Sequence, residues 1–275
     1  MKIQISDIRT AVFLYLKFLK YKTILLKNYA LLYGRKKECG CMEKMNLILG
    51  NAYEEMKKIP DKSIDLIITD PPYEIAVNKN KQKETGLSKS YTSLVGELSS
   101  AGISSGIDFS ILDDFVRVLK KINIYIWCNR KQIIPYLDYF VKKQGCAYDI
   151  LVWIKTNPIP GCGRNYLNDK EYCLYFRKKA NLHTTYERGH TYWITPTNKA
   201  DKKLYNHPTV KPQAIIEDLI LNSSCEGDTV LDPFCGSGTT GAAAVRNNRY
   251  FIGIENNLSY FNTSVKRIEN ICYLA

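Results

Sequence analysis

The sequence predicts an α/β protein with a mostly parallel sheet, and three observations support this fold class. Apolar runs of strand length alternate with segments of helical periodicity, which is the order found in parallel sheets. Two of the runs, 63–69 and 250–254, are continuously apolar, as is typical of strands buried on both faces. Each of these runs is followed by a carboxylate, Asp70 or Glu255, and ligands bind at the carboxyl ends of strands in such sheets.

The same patterns place the individual elements in order along the chain. Strands are predicted at residues 45–49, 63–69, 122–128, 147–154, 172–176, 228–231 and 250–254. Helices are predicted at residues 52–58, 108–121, 131–143, 212–222, 241–247 and 259–271. Residues 74–106 are polar and predict a long loop. The stretch 155–203 is rich in Asn, Pro, Gly and Tyr, and 172–176 is the one strand expected within it.

Charge is distributed unevenly over the chain. It has 275 residues, of which 45% are hydrophobic, and this composition excludes a wholly disordered chain. The formal net charge is +12, of which residues 1–44 carry +7 and residues 155–203 carry +6, while the rest is close to neutral. Such a balance favours a polyanionic partner, with nucleic acid ahead of an anionic membrane surface.

The cysteines give no sign of a disulfide framework or a metal site. Nine cysteines at irregular spacing predict free thiols, as expected in a reducing cytoplasm. Cys39 and Cys41 are close together, but no second cysteine or histidine pair matches them at the spacing of a zinc site. The sequence therefore predicts no bound metal.

Residues 1–44 are predicted to be a basic helical extension of a domain formed by residues 45–275. Four lysines interrupt the apolar run 11–33, so this run is not expected to span a membrane. Three interpretations stay open for the extension: a helix docked on the domain, a helix that binds nucleic acid or a membrane surface, and upstream sequence that the native product lacks.

A cofactor site is predicted where the strand 228–231 meets a glycine turn that begins a helix. Gly236 and Gly238 let the backbone approach a ligand, and the N-terminus of a helix favours negative charge. Glu255 follows Gly236 by nineteen residues, at the end of the next strand, where a ribose-binding carboxylate is expected. The complete G-x-G-x-x-G fingerprint is absent because Gly241 comes one position late, which disfavours a dinucleotide fold.

A second site is predicted at the turn Asp70-Pro71-Pro72-Tyr73. The two prolines stiffen the turn and remove two backbone donors, so it presents a carboxylate, a free proline carbonyl and an aromatic ring. Asp70 and the Pro71 carbonyl are acceptors suited to an exocyclic amino group, and a flipped base could stack on Tyr73. The alternative is a purely structural turn with a solvated Asp70.

Together, these motifs resemble the beta class of S-adenosylmethionine-dependent DNA amino-methyltransferases over about residues 45–275. The turn at Asp70 is similar to the catalytic tetrapeptide of the class, and DPFCGSGTT, which begins at Asp232, is similar to its cofactor motif. The segments 207–212 (HPTVKP) and 153–158 (WIKTNP) are also similar to segments of the class. The tetrapeptide comes first and the cofactor motif last, which is the circularly permuted order that defines the class.

This resemblance implies a Rossmann-like methyltransferase fold, with a mostly parallel seven-stranded sheet and a reversed C-terminal hairpin. The catalytic residues that it implies are Asp70, Pro71, Pro72 and Tyr73. The cofactor-binding residues that it implies are Asn51, Asp70, Lys211, Asp232, Phe234, Gly236, Ser237, Gly238, Thr239 and Glu255. Target recognition is expected within about residues 156–206, and the DNA contacts expected from the basic stretch are Lys155, Arg164, Lys199, Lys202 and Lys203.

Two features depart from the class. Asn51 stands where the class often has Asp near the cofactor adenine, so we expect weaker or altered cofactor affinity. An Asn side chain can still form hydrogen bonds to an adenine edge, so affinity is not expected to be lost. The recognition region is short, and recognition is therefore expected to draw on the loop 74–106 or on a second subunit.

The reaction implied is methyl transfer from S-adenosylmethionine to the exocyclic N6 of a flipped adenine in double-stranded DNA. Asp in the tetrapeptide favours adenine, because cytosine-N4 relatives more often carry Ser there. Cytosine-N4 methylation by the same fold and a non-catalytic nucleic-acid-binding module are the alternatives. A homodimer and a cognate restriction enzyme are compatible partners, a membrane is not expected, and the expected location is the cytoplasm of a bacterium or of a phage host.

Overall fold

A computed structural model describes residues 42–73, 96, 106–158 and 166–274 of the chain. Within these residues, a single sheet of eight strands has the spatial order β1-β8-β7-β2-β3-β5-β4-β6. The strands are β1 (Met45–Leu49), β2 (Leu66–Thr69), β3 (Ile122–Cys128), β4 (Ala147–Lys155), β5 (Lys170–Lys178), β6 (Tyr192–Thr195), β7 (Thr229–Asp232) and β8 (Tyr250–Glu255).

Seven of these strands run in one direction, and β5 alone is reversed between β3 and β4. The predicted fold class is therefore confirmed, and β6 adds an eighth strand at one edge by pairing in parallel with β4. The reversed hairpin of β4 and β5 lies in the middle of the chain rather than at its C-terminus. This position follows from the permuted motif order, which places the cofactor motif after the hairpin.

The helices of the described residues connect these strands. They are α1 (Ala52–Glu55), α2 (Ile111–Val118), α3 (Ile133–Leu137), α4 (Lys199–Leu204), α5 (Gln213–Ser223), α6 (Thr239–Arg246) and α7 (Leu258–Leu274). Short 3₁₀ turns occupy Met42–Lys44 and Met56–Lys58, and a π-helical turn occupies Asp138–Lys143. No helix of the described residues is both long enough and apolar enough to cross a bilayer.

Two elements of the basic stretch were not predicted. The expectation of one strand within residues 155–203 is wrong, because β6 and α4 form there as well. No residue of β6 is fully buried, so this strand lacks the core-facing pattern of the predicted strands. It is defined by its pairing with the longer β4, in which Val152 lies opposite Tyr192. The helix α4 begins at Asn198, whose side chain accepts a hydrogen bond from the Asp201 N–H and so caps it.

The core lies around the two central strands. Every residue of β2 and β3 is buried, as the continuous apolar runs predicted. Helix α2 packs against this core through one face made of Ile111, Leu112, Phe115 and Val118, and its remaining residues are more exposed. A rigid central sheet therefore supports the loops that follow its strands.

The segments that the sequence singled out lie on one side of the sheet, at the carboxyl ends of the strands. The carboxyl ends of β1, β8, β7, β2 and β3 meet there, and each is followed by a loop that carries a predicted site residue or borders one. The remaining predictions fall outside the described residues: the helices of 1–41, nearly all of the long loop 74–105, and Arg164.

Candidate active site

A cleft of about 300 Å³ opens at the carboxyl ends of the strands. Loops that follow β1, β2, β7 and β8 line it, together with the segment before α5. Eight predicted cofactor residues border this cleft: Asn51, Asp70, Lys211, Asp232, Phe234, Gly236, Ser237 and Thr239. Glu255 borders it as well, so the cleft brings together nine of the ten residues that the sequence predicted to bind the cofactor.

The glycine turn shapes the middle of the cleft. Gly236 has a φ of +51°, a left-handed conformation that favours glycine. A Cβ at this position would lie 3.0 Å from Nε2 of His207, so the backbone of the turn packs directly on the imidazole ring. Burial, helped by the positive charges of Lys211 and Lys202, lowers the His207 pKa to about 4, and the ring is therefore neutral near pH 7.

Glu255 is held in place by the backbone on either side of it. Its Oε2 accepts a hydrogen bond from the Gly236 N–H at 2.9 Å, and its Oε1 accepts one from the Asn257 N–H at 2.8 Å. Burial raises the pKa of this carboxyl group, and these backbone donors oppose that effect. Because each carboxylate oxygen accepts more than one hydrogen bond, Glu255 can also accept from a ligand hydroxyl pair.

Gly238 has a different role from the one predicted. It does not line the cleft, although the sequence placed it with the cofactor residues. Its φ is +77°, and an added Cβ would lie 2.7 Å from Cβ of Ser264. The glycine is therefore required where the start of α6 packs closely against α7, and its contact with a cofactor stays a prediction.

Asp232 is a buried carboxylate at the end of β7. It accepts hydrogen bonds from the Phe234 N–H at 3.1 Å and from the Thr240 hydroxyl at 2.8 Å. No cation forms an ion pair with it within the part of the chain that the structure describes. Burial therefore dominates and raises the Asp232 pKa to about 7. A cationic ligand group in the cleft would supply the missing partner.

Asn51 and Thr239 each use one polar group in the protein itself. The Asn51 side-chain oxygen accepts a hydrogen bond from the Tyr53 N–H and so caps α1, which leaves the amide nitrogen for a ligand. The Thr239 hydroxyl accepts a hydrogen bond from Arg267 at 2.8 Å, and this arginine is buried against Tyr205. Both residues line the cleft.

The second predicted site, Asp70, lies at the opposite end of the same cleft from Asn51 and Glu255, one strand beyond Asp232. Its Oδ2 is 2.5 Å from Nζ of Lys211, which is itself buried. Its Oδ1 is buried and has no hydrogen-bond partner among the described residues. Burial raises the Asp70 pKa and the Lys211 charge opposes this rise, so the ammonium stabilises the ionised form.

The rest of the tetrapeptide surrounds this ion pair. Pro72 lines the cleft, and its carbonyl accepts a hydrogen bond from Gln132 at 3.4 Å, whereas Pro71 is buried outside the lining. Nζ of Lys211 lies 3.4 Å from the Tyr73 hydroxyl and 5.5 Å from the centre of its ring. Lys211, predicted to lie near the methionine part of the cofactor, thus has its ammonium at the catalytic turn.

Glu171 and Trp127 complete the surroundings of Lys211, and the sequence did not single out either. Because β5 is antiparallel to β3, its first residues lie at the edge where β3 ends, and Trp127 pairs with Cys173. Trp127 is buried, lines the cleft and places its ring 5.1 Å from the Lys211 ammonium. An acid directly before the apolar run 172–176 was the one available signal for Glu171, and no spacing rule links it to Asp70.

Lys155 differs from its predicted role in DNA contact. Its Nζ lies 2.5 Å from Oε1 of Glu171, and only 15% of its side chain is exposed. Lys199 and Lys203, by contrast, are exposed on α4, and Lys202 is partly exposed there. The predicted DNA contacts within the described residues are therefore reduced to one short helix beyond the cleft.

Comparison with known proteins agrees with this geometry. A family model described as DNA methylase, with N6 and N4 specificity in its name, matches residues 64–266. DNA adenine methyltransferase YhdJ of Escherichia coli (strain K12) is 30% identical over 258 residues, covering 82% of this chain and 83% of that protein. Type II methyltransferase M2.LlaDCHI of Lactococcus lactis subsp. cremoris is 32% identical over 251 residues, covering 82% of this chain and 90% of that protein.

Solved structures share the fold. The M1.HpyAVI–SAM complex has a TM-score of 0.58 and 27% identity, covering 81% of this chain and 99% of that one. The cytosine-N4-specific PvuII DNA methyltransferase has a TM-score of 0.59 at 18% identity, covering 83% and 91% of the two chains, and supports the fold alone. With a family match over most of its length and relatives at 30% identity or more, this chain belongs to the DNA methylase family of N6 and N4 methyltransferases.

Proposed function

We propose that this protein transfers a methyl group from S-adenosylmethionine to the N6 amine of adenine in double-stranded DNA. The observation that carries the proposal is a single cleft in which the Asp70 turn occupies one end and Glu255 the other, with Asp232 between them. One ligand can therefore reach from the predicted ribose carboxylate to the predicted catalytic turn.

The residues present fit S-adenosylmethionine. Asp232 is a buried acceptor without a cation in the described residues, which suits the positively charged methionine part of the molecule. Glu255 suits the ribose hydroxyls, and the Asn51 amide suits the adenine edge. When bound, S-adenosylmethionine supplies an electrophilic methyl group on its sulfonium.

Asp70 is assigned the role of acceptor for the target amine. Its Oδ2 is occupied by Lys211, but its buried Oδ1 is open to an N–H donor. The Pro71 carbonyl is assigned as the second acceptor, as the sequence predicted, so that the nitrogen lone pair of the amine points to the methyl carbon. Tyr73 is assigned to stack on the flipped base.

Adenine is favoured over cytosine by two observations. Asp, rather than Ser, begins the tetrapeptide, and a relative named as a DNA adenine methyltransferase is 30% identical over most of both chains. A homodimer, a restriction enzyme partner and a location in the bacterial cytoplasm stay predictions from the resemblance.

Product analysis tests the proposal. Purified protein is incubated with S-adenosylmethionine and duplex DNA from cells that lack DNA methyltransferases, and the DNA is digested to nucleosides for mass spectrometry. We expect N6-methyladenine, which an Asp70→Ala control should not form. N4-methylcytosine would move the assignment to the other amine. Binding of DNA without any methylated product would support a non-catalytic module instead.

A further inference from the structure

Four buried or half-buried charges of alternating sign extend away from the cleft in a continuous chain. Asp70 Oδ2 lies 2.5 Å from Lys211 Nζ, and Lys211 Nζ lies 3.1 Å from Glu171 Oε2. Glu171 Oε1 lies 2.5 Å from Lys155 Nζ. No more than a quarter of any of these side chains is exposed, so solvent screens the chain of charges only weakly.

Lys211 occupies the centre of this arrangement and is shared by two carboxylates. Its other neighbours are the rings of Tyr73 and Trp127, which supply no full negative charge. A lysine side chain has four rotatable bonds, so one carboxylate would leave the ammonium free to turn around its partner. The position of the ammonium is defined by two carboxylates on different elements, Asp70 in the loop after β2 and Glu171 at the start of β5.

Of the two carboxylates that contact Lys211, Glu171 is the more firmly held. It belongs to β5, which is hydrogen-bonded to strands on both sides, whereas Asp70 belongs to a loop. Burial alone would raise its pKa, but the charges of Lys211 and Lys155 lower the Glu171 pKa to about 2. Glu171 therefore stays ionised at any pH at which the protein is expected to work.

We propose that Glu171 is a positioning residue, which fixes Lys211 so that Lys211 holds Oδ2 of Asp70 and leaves Oδ1 open to the target amine. The proposal rests on the proposed function, because it gives Glu171 a role in the same transfer reaction. Glu171 contacts neither substrate nor cofactor in this scheme. Its effect passes entirely through the Lys211 ammonium, and this dependence makes it testable.

The test compares Glu171→Gln with wild type by the single-turnover rate of methyl transfer and by calorimetric binding of S-adenosylmethionine. Gln keeps the size of Glu and removes the charge. We expect the transfer rate to fall about 10- to 100-fold, because a small misplacement of a group that positions the reacting atoms costs up to about 100-fold. We expect the dissociation constant for S-adenosylmethionine to stay within about 3-fold, because Glu171 is distant from the Glu255 end of the cleft.

A double-mutant cycle separates positioning from a structural role. If Glu171 acts through Lys211, adding Glu171→Gln to Lys211→Met should change the rate by less than about 2-fold. Independent effects that multiply would contradict the proposal. Glu217→Gln is the matched control: this glutamate on α5 pairs with Arg246 at 3.4 Å, away from the cleft, and its removal should leave the rate unchanged.

A second variant and the activity of the wild-type protein complete the test. If Glu171→Gln does not fold, Lys155→Met removes only the outer partner of Glu171 and should lower the rate about 3- to 10-fold, with S-adenosylmethionine binding intact. A Glu171→Gln protein that transfers methyl groups at the wild-type rate would overturn the proposal and leave the proposed function standing. An inactive wild-type protein would instead overturn the proposed function.

Discussion

At the scale of single residues, Asp232 shows how burial prepares a site for a charged ligand. Its carboxylate accepts two hydrogen bonds but has no ion-pair partner in the described residues, and burial raises its pKa from 3.8 to about 7. An acid with a raised pKa stabilises the fold while it is protonated and loses that contribution as the pH rises. Ionised Asp232 therefore costs stability in the free protein, and a bound cation would offset the cost.

Asp232→Asn tests this electrostatic cost. The contribution of Asp232 is fully present below its unfolded pKa near 3.8 and is lost as the pH rises through about 7. We therefore expect the Asn variant to gain stability relative to wild type between pH 5 and pH 8, measured by urea denaturation without ligand. Its affinity for S-adenosylmethionine should fall at least about 10-fold. A stability difference that does not change with pH would contradict this account of Asp232.

At the scale of elements, the glycine turn joins the cofactor end of the cleft to the packing of two helices. Gly236 faces the cleft and packs on His207, while Gly238 begins α6 where it meets Ser264 of α7. The sequence indicated both glycines by one motif, but the structure separates their roles. Gly238 is therefore predicted to contribute to stability through the packing of α6 on α7.

Gly238→Ala tests that separation. The left-handed backbone and the contact of 2.7 Å with Ser264 Cβ both oppose a side chain, and we expect a loss of about 2–4 kcal/mol in the free energy of unfolding. Gly227→Ala is the matched control, since Gly227 has a φ of +83° but no atom within 4 Å of an added Cβ. Its loss should be about 1 kcal/mol. Equal losses in chemical denaturation would show that the helix contact contributes nothing.

Elements also show why some site residues could be predicted from sequence and others could not. Asp70, Asp232 and Glu255 each follow or end a buried parallel strand, and parallel strands bring their carboxyl ends to one edge whatever their order. Glu171 reaches the same edge from the beginning of a reversed strand. Its approach to Lys211 depends on the antiparallel register of β5, in which Glu171 lies opposite Trp153, and no sequence pattern specifies that register.

At the scale of the whole molecule, the excess of positive charge is concentrated in two stretches of the sequence. The net charge of +12 is concentrated in residues 1–44 and 155–203. Lys155, the first residue of the second stretch, forms an ion pair with Glu171. Lys199 and Lys203 are exposed on α4, which lies between β6 and α5 in the chain. Charge alone predicted a nucleic-acid partner, but the structure was needed to separate paired lysines from exposed ones.

Neutralising α4 tests its role in DNA binding. Changing Lys199, Lys202 and Lys203 to Gln should reduce the dependence of DNA affinity on salt, by up to about 0.9 in the logarithmic slope for each phosphate that the protein no longer neutralises. The control changes Lys120, Lys121 and Lys142, which precede β3 and β4 at the opposite edge of the sheet. Fluorescence anisotropy over a range of salt concentrations measures both slopes. An unchanged slope in the α4 variant would count against DNA binding by this helix.

The central claim is that Asp70, held by Lys211 at the end of a cofactor cleft, receives the amine that is methylated. The most direct measurement is the single-turnover transfer of a labelled methyl group from S-adenosylmethionine to duplex DNA by wild type and by Asp70→Ala. We expect transfer by wild type and a transfer rate at least about 100-fold lower in the variant. S-adenosylmethionine binding, measured in parallel by calorimetry, separates a loss of transfer from a loss of cofactor. Methyl transfer by Asp70→Ala at a rate near that of wild type would contradict the account.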